Sequence, residues 1–248
     1  MNECVYIHEF IDIIGHNRAN YMHHITANWS PIGQAERDQL CFGVFGTVGS
    51  TRIWPEVVNI WEHRGWDGLA DAFDHEFSHP TLQDPALAEW WAEAQSFRSR
   101  GVDRILVAAP WTRSIEQLCA DGVTGVAYAH ELVKVRPGTA STYLDAVRDV
   151  AVDTYRDRGL ELVGAWRTAM CGEREVITMW AIPDWRTWGT FEADQLTAPE
   201  LVDWTRVTEP FVEQLDRFLL VDAPLSPLRI GRQPAVEDRP TYQLPTRK

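Results

Sequence analysis

The sequence has few cysteines, and they do not form closely spaced pairs. The four of them, Cys4, Cys41, Cys119 and Cys171, are scattered over 248 residues. Zinc ribbons and redox motifs require a Cys-x-x-Cys pair, and small secreted domains require a dense disulfide framework. The chain fits none of these classes, so we expect a protein of the reducing cytoplasm.

Basic charge and long apolar runs are scarce as well. Lys and Arg number 23 against 36 Asp and Glu, which gives a formal net charge of −13. Nucleic-acid binding and attraction to an anionic membrane both require a basic patch, and the longest candidate, residues 98–104, is interrupted by Ser and Asp. No uncharged run approaches the ~20 residues of a membrane span. The sequence therefore predicts neither a nucleic acid nor a membrane as a partner.

Two common catalytic motifs are missing, and one metal motif is incomplete. The chain has no phosphate-binding glycine loop and no G-x-S-x-G nucleophile elbow. Residues 75–79 read His-Glu-Phe-Ser-His, the H-E-x-x-H pattern of zinc proteases. Pro80 follows at once and places the second histidine at a helix end, and no clear third ligand follows. We therefore expect no metal site.

Tryptophan, in contrast, is abundant. The chain has 12 Trp, with 45% hydrophobic and 24% charged residues overall. This composition is typical of a globular protein that buries a substantial core. Aromatic side chains either fill such a core or line a ligand cavity, and composition alone does not separate the two.

The chain contains an internal repeat. Residues 5–10 read Val-Tyr-Ile-His-Glu-Phe, and residues 127–132 read Ala-Tyr-Ala-His-Glu-Leu. Further matches follow in the same order: Gly43 with Gly164, Trp61 with Trp180, Trp66 with Trp185, Trp91 with Trp204, and residues 103–107 with 216–220. Several ordered matches at a slowly drifting spacing indicate two tandem copies of one unit.

Both copies predict the same order of elements. Apolar alternation predicts strands, and helical spacing of apolar residues predicts helices. The predicted strands span residues 4–13, 41–48, 52–61 and 103–109, then 126–135, 161–170, 174–182 and 217–222. The predicted helices span residues 17–29, 66–77 and 85–99, then 137–154, 184–192 and 198–215. Each copy is thus a ferredoxin-like βαββαβ unit of an α+β protein.

The units must cover each other, because helices protect only one face of each sheet. We expect residues 1–110 and 126–228 to form an intramolecular pseudo-two-fold α/β barrel with an apolar cavity between the sheets. Residues 111–125 are interpreted as a linker and residues 229–248 as an extended tail. Because the fused units replace a dimer, the protein is expected to be a monomer or a homodimer.

The sequence resembles the NIPSNAP family, within the dimeric α/β-barrel superfamily. The resemblance covers residues 4–222 in two copies. It is carried by Tyr6 and Tyr128 in the first strands, Pro137-Gly138 opening a helix, the run 159–164, and Trp61 and Trp180 ending a strand. The chain departs from the family in carrying His-Glu where such first strands commonly carry Glu then Arg, and Gly15-His16 where Pro-Gly opens the first helix.

The resemblance implies a small-molecule site but no single reaction. The superfamily includes cofactor-free monooxygenases, polyketide cyclases, muconolactone-type isomerases and haem-binding enzymes, together with proteins of no known activity. We therefore expect an enzyme that applies cofactor-independent acid–base chemistry to a hydrophobic or aromatic metabolite. The alternatives are a non-catalytic binding or scaffolding protein, or a haem enzyme that uses one of His8, His23, His24 and His130 as axial ligand.

The duplicated His-Glu pairs are the candidate catalytic residues. Alternation places His8 and Glu9, and likewise His130 and Glu131, on opposite faces of a strand. We favour the histidines facing the cavity and the glutamates facing the helices, although the reverse arrangement also supplies a general base. A duplicated pair can also be an inherited structural network. The expected substrate-binding residues are Tyr6, Tyr128, Phe45, Trp61, Trp166, Arg167 and Trp180.

Overall fold

Eight antiparallel strands close into a barrel in the structure, a computed structural model that describes residues 1–241. The order around the barrel is β1-β3-β2-β8-β5-β7-β6-β4. The strands are β1 (Val5–Ile13), β2 (Leu40–Thr47), β3 (Glu56–His63), β4 (Arg98–Ala108), β5 (Ala127–Val135), β6 (Glu161–Thr168), β7 (Glu175–Ile182) and β8 (Val212–Asp222). The predicted α+β barrel of two tandem units is confirmed.

Each half of the barrel has its first strand in the centre. β1 pairs with β3 and β4, and β5 pairs with β7 and β8. Short ladders from β2 to β8 and from β4 to β6 join the halves. Residues on β1 and β5 therefore lie at the centre of their sheets, where two neighbouring strands fix the direction of each side chain.

Helices cover the outside of each half. The first half has α1 (Arg18–His23), α2 (Ser30–Arg37), α3 (Gly65–Phe77) and α4 (Pro85–Ala94), and the second has α6 (Ala140–Ala146), α7 (Val152–Asp157), α8 (Trp185–Asp194) and α9 (Pro199–Thr208). A π-helical turn, His24–Trp29 or Val147–Ala151, lies inside the first helical run of each copy. None of the helices among residues 1–241 is long and apolar enough to cross a membrane.

Two connecting segments are more structured than the sequence predicts. The linker 111–125 contains α5 (Ile115–Ala120), which begins with a capping box formed by Ser114 and Gln117. The segment after β8 forms α10 (Pro227–Ile230) and a 3₁₀ helix, Val236–Thr241. The expectation of an extended tail from residue 229 is therefore wrong up to residue 241, and residues 242–248 lie outside the described part.

The sequence match between the last thirds of the two copies is wrong by one residue. Trp90, not Trp91, is the counterpart of Trp204, because both are buried against a tyrosine on the first helix of their half. Trp90 packs against Tyr21 with ring centroids 6.5 Å apart, and Trp204 packs against Tyr143 at 5.9 Å. The tyrosines themselves are equivalent in the two copies. Near the end of each unit, the difference in residue number between equivalent positions is therefore one larger than the sequence match gave.

Aromatic rings fill the barrel interior. The Tyr6 ring meets those of Phe42 and Trp166, each with centroids 5.5 Å apart, and Phe45 meets Tyr128 at 5.2 Å. All five of these side chains are buried. The space that the sequence suggested as a ligand cavity between the sheets is occupied by these side chains.

A glycine makes room for one large ring in each copy. The Phe45 ring folds back over Gly43, and the Trp166 ring folds back over Gly164, where a Cβ would overlap the ring. Both glycines lie at a register shift in the ladder with the neighbouring strand. The matched glycines of the repeat are thus required by close packing inside the barrel.

Candidate functional site

The repeated histidines meet at the centre of the barrel. His8 and His130 point inward, both are completely buried, and their Nε2 atoms lie 2.9 Å apart. The His130 ring also stacks on Phe218, with centroids 4.7 Å apart. Because equivalent residues of the two copies touch, this contact marks the pseudo-two-fold axis.

Burial keeps this pair uncharged. The pKa of His8 is lowered to about 3, first by desolvation and then by the positive charge of Arg104. The pKa of His130 is lowered well below its ordinary value, again first by desolvation. Two neutral imidazoles share a single proton along the Nε2–Nε2 contact, and neither Nδ1 has a hydrogen-bond partner within residues 1–241. The arrangement joins the two copies inside a closed core.

The repeated glutamates lie on the other face of their strands, against the helices. Glu9 accepts hydrogen bonds from Trp61 Nε1 at 3.0 Å and Asn59 Nδ2 at 2.9 Å. Glu131 accepts a bond from Trp180 Nε1 at 3.1 Å. In each copy, therefore, a tryptophan on the neighbouring strand, Trp61 on β3 or Trp180 on β7, donates its indole N–H to the carboxylate.

The two copies differ in what stands beside this carboxylate. In the second copy, Arg217 forms an ion pair with Glu131 at 2.8 Å, and both side chains are largely buried. Strand register makes Asp103 the counterpart of Arg217, because Glu9 lies opposite Asp103 and Glu131 lies opposite Arg217. The first copy thus has a carboxylate where the second has a neutralising cation.

Glu9, which forms no ion pair within residues 1–241, lines a cavity of about 250 Å³ between the first sheet and its helices. Trp61 lies on the sheet side, and Trp29, Trp90 and Trp91 come from the helical side. The lining combines aromatic side chains with polar groups that can orient a bound small molecule. The polar lining residues are Glu9, Tyr21, Arg37, Gln39, His63, Glu76, Arg98 and Asp103.

Glu9 has the properties of a general base. Its pKa is raised, first by desolvation and then by the negative charge of Asp103. Both of its hydrogen bonds end on Oε2, and within residues 1–241 its Oε1 accepts none. A carboxylate with a raised pKa and an open oxygen accepts a proton more readily than an ordinary carboxylate.

A hydrogen-bond donor lies elsewhere in the same cavity. Trp29 Nε1 donates to Gln39 Oε1 at 3.3 Å, so the Gln39 amide NH₂ is directed at His63 Nε2, 3.3 Å away. His63 therefore accepts at Nε2 and carries its proton on Nδ1, which is buried and has no partner within the described chain. Burial and Arg37 lower the pKa of His63 to about 4, so the ring stays neutral.

Tyr21 and Arg98 complete the polar part of the lining near Glu9. Tyr21 accepts a hydrogen bond from Asn59 at 2.9 Å, and burial together with Glu9 raises its pKa, so its hydroxyl keeps its proton. The Arg98 guanidinium lies over the Trp91 ring, 4.6 Å from the centroid. Tyr21 and His63 thus add neutral donors to the lining, and Arg98 adds a cation to that of Arg37.

The other residues expected to bind substrate divide between the two faces of the barrel. Trp61 lines the cavity of the first copy, whereas Trp180 packs against Tyr155 in the second, with ring centroids 4.5 Å apart. Arg167 lies on the outer face of β6, because Trp166 beside it points inward. Tyr6, Tyr128, Phe45 and Trp166 all belong to the filled interior.

The four histidines considered as haem ligands all make contacts within the protein. His8 and His130 bond each other in the closed core. His24 stacks on Trp90, and its two nitrogens contact the Trp90 carbonyl at 3.1 Å and Asn28 at 2.9 Å. His23 also has an interaction partner. His8, His24 and His130 are also buried, so none of these three presents a nitrogen toward open space for an axial bond.

Sequence reasoning missed Asp103 and His63. Asn59, Trp61 and His63 alternate along β3 and share the face of Glu9, since they lie opposite Glu9, Ile7 and Val5. This alternation could have placed His63 on the same face of the sheet as Glu9 from the sequence alone. The sequence match paired Asp103 with Asp216 instead of Arg217, so the difference in charge at this position was overlooked.

Several solved structures share this fold over their full length. A candidate monooxygenase from Lactobacillus acidophilus matches 90% of this chain and 95% of its own, with a TM-score of 0.60 and 11% identity. An anthrone oxidase-like protein matches 89% of this chain and 92% of its own, with a TM-score of 0.59 and 12% identity. A candidate chlorite dismutase matches 98% of this chain and 100% of its own, with a TM-score of 0.50 and 11% identity.

NIPSNAP domains align with one part of the chain. A NIPSNAP domain protein from Burkholderia xenovorans matches 38% of this chain and 92% of its own, with a TM-score of 0.34 and 17% identity. No family model matches the sequence, and no curated protein does. The full-length similarities show that the chain has the fold of a duplicated dimeric α/β-barrel protein.

Proposed function

We propose that the cavity of the first copy binds a small aromatic metabolite and that Glu9 removes a proton from it. The observation that carries this proposal is the open Oε1 of a carboxylate with a raised pKa, inside a cavity walled by tryptophans. The second copy has the same glutamate, but Arg217 neutralises it. The chemistry is therefore assigned to one copy only, and His8 and His130 do not touch the substrate.

The substrate must carry an acidic C–H or O–H that is conjugated with a carbonyl, either directly or through an aromatic ring. Glu9 takes the proton, and the resulting anion is spread over the conjugated system toward its oxygen. The neutral Nδ1–H of His63, the hydroxyl of Tyr21 and the cation of Arg98 are the groups available to stabilise that oxygen. Trp61, Trp29 and Trp90 hold the rings by stacking and exclude water.

Proton removal is the first step of isomerisation, elimination, cyclisation and cofactor-free oxygenation alike. Among these we favour oxygenation, because one full-length fold neighbour is described as anthrone oxidase-like and another as a candidate monooxygenase. Anthrone suits the cavity chemically, since its acidic CH₂ lies between aromatic rings and opposite a ketone. The reaction is balanced as anthrone plus O₂ giving anthraquinone plus water.

Anthrone oxidation tests the proposal directly. The purified protein is expected to accelerate oxygen uptake and anthraquinone formation over buffer. Glu9→Gln is expected to lower kcat by about 100-fold or more, which is typical of losing a positioned base. Asp12→Asn, on the same strand but ion-paired to Arg100 at the rim, serves as the matched control and is expected to keep full activity.

The pH profile adds a second criterion. Asp103→Asn removes the negative charge that raises the pKa of Glu9, so the acidic limb of kcat/KM is expected to move to lower pH. If anthrone quenches tryptophan fluorescence but is not oxidised faster than in buffer, the site binds aromatic ligands and the catalytic part of the proposal is wrong. Unchanged turnover in folded Glu9→Gln would also overturn it.

A further inference from the structure

The two histidines of the H-E-x-x-H motif meet a carboxylate in the folded chain. His75 lies in the last turn of α3, His79 follows that helix, and Asp84 is the N-cap residue of α4. The potential ligand atoms of these three residues all lie within 4.8 Å of one another. The sequence pattern lacked a clear third ligand, and the fold supplies one by turning the chain back after Pro80.

The spacing suits a tetrahedral ion. His75 Nε2 lies 3.5 Å from Asp84 Oδ2. Two ligands at the ~2.1 Å bond length of zinc to nitrogen or oxygen lie about 3.4 Å apart in a tetrahedron. His75 Nε2 is buried yet forms no hydrogen bond within residues 1–241, so it has a free lone pair when the ring is protonated on Nδ1.

Neighbouring groups hold the carboxylate in place. Arg37 donates to Asp84 Oδ2 at 2.8 Å, and the Ala86 amide donates to Asp84 Oδ1 at 3.0 Å. A carboxylate oxygen has two lone pairs, so Oδ2 can bind Arg37 and a metal together. Outer-shell bonds of this kind orient metal ligands in many proteins.

The negative charge around these residues also favours the binding of a cation. Glu36 Oε2 lies 3.9 Å from His75 Nε2, and Glu76 and Asp84 both bind Arg37. Two of these three carboxylates pair with the single Arg37 guanidinium and the third lies near His75, which leaves two negative charges when the histidines are neutral. A divalent ion balances them.

We propose that His75, His79 and Asp84 bind a divalent transition-metal ion of the zinc class. Two imidazoles and one carboxylate favour such an ion over Ca²⁺ or Mg²⁺, which prefer oxygen ligands alone. The site is not that of a zinc protease, because Arg37 binds Glu76, the residue that would serve as base, at 2.9 Å. This proposal is independent of the one for the cavity.

The ion has a structural role in this arrangement. It ties the end of α3 to the start of α4, two helices that cover the cavity, while Arg37 and Glu76 form part of the cavity wall. The second copy lacks the site. Ala198 stands before Pro199 at the start of α9, where the first copy has Asp84 before Pro85.

Binding of Co²⁺ and Zn²⁺ alone tests the site on the full chain after chelator treatment. The expected result is one equivalent of Co²⁺ with the visible absorption bands of a tetrahedral site, displaced by Zn²⁺, and an unfolding temperature that rises with Zn²⁺ concentration. His79→Ala is expected to weaken binding by at least about tenfold. His16→Ala, at an exposed histidine far along the chain, is the matched control and is expected to bind as the wild type does.

A second variant separates binding from folding. Asp84→Asn keeps a side-chain oxygen for the start of α4 but removes the anionic ligand, so it is expected to fold and to lose the Co²⁺ spectrum. The proposal is overturned if the wild type binds no more Co²⁺ than the double variant His75→Ala/His79→Ala. It is equally overturned if folded His79→Ala binds with unchanged affinity.

Discussion

His8 and His130 touch through their Nε2 atoms, 2.9 Å apart, at the centre of the barrel, where both side chains are completely buried. The burial of this pair contributes to how the protein responds to acid. In the unfolded chain each histidine takes up a proton near pH 6.5, whereas in the folded barrel His8 resists protonation down to about pH 3.

Acid is therefore expected to destabilise the protein through this pair. A folded pKa below the unfolded value gives a stability contribution that is present above pH 6.5 and is lost as the pH falls from 6.5 toward 3. The loss is on the order of 1 kcal/mol per pH unit for each histidine. Urea unfolding of the double variant His8→Leu/His130→Leu is expected to show a flatter pH dependence over that range.

The exposed His16 provides the control for this measurement. His16→Leu is expected to keep the wild-type dependence on pH. His63, whose pKa is also lowered, leaves some slope in the double variant. A slope equal to that of the wild type would show that the central pair is not the source.

The ion pair of Arg217 and Glu131 gives a second prediction. Arg217→Met leaves a buried carboxylate without its cation, so the free energy of unfolding is expected to fall by about 3–5 kcal/mol. The additional change Glu131→Gln is expected to recover much of that loss, because no charge then remains to be neutralised. Denaturant unfolding of the two single variants and the double variant measures the coupling.

The equivalent change in the first copy should behave differently. Asp103→Asn removes a repulsive neighbour of Glu9 and is expected to leave stability unchanged or slightly higher. If Arg217→Met cost no more than Asp103→Asn, the two copies would be energetically alike, and the assignment of the open carboxylate to one copy would lose its basis.

The glycines of the interior give a third prediction. In Gly164→Ala the new methyl group overlaps the Trp166 ring, which has no room to move because Tyr6 and Phe42 pack against it. The expected loss is about 1–3 kcal/mol in unfolding free energy, a typical cost of overpacking. Gly189→Ala, in α8 with open space around it, is expected to gain about 0.5–1 kcal/mol instead. Equal effects of both changes would contradict the packing argument.

The fold was predictable because its signals are local and duplicated. Alternation along residues 4–13 and 126–135 identified the central strands, and the repeat showed that each sheet has a partner. The same alternation gave the faces of the His-Glu pairs, because Tyr6 and His8 share one side of β1 while Ile7 and Glu9 share the other. The structure places the histidines inside and the glutamates against the helices.

The sequence alone could not show that side chains fill the interior of the barrel. Whether Phe45 and Trp166 line a cavity or close it depends on how far each ring folds back over Gly43 or Gly164, which is a matter of tertiary packing. The Asp-Arg sequence in both last strands also gave a false match at residues 103–104 and 216–217. A slip of one residue along a strand exchanges its two faces, so the contrast of Asp103 with Arg217 stayed hidden.

Fusion of the two copies has a consequence for how such a site can arise. In a homodimer every substitution appears twice, so an acid placed beside Glu9 would also stand beside its symmetry mate, and both halves would lose their buried ion pair. A single chain is free of this constraint. One copy can retain Arg217 as the ion-pair partner of Glu131, while the other carries Asp103 at the same position and leaves Glu9 without an ion pair.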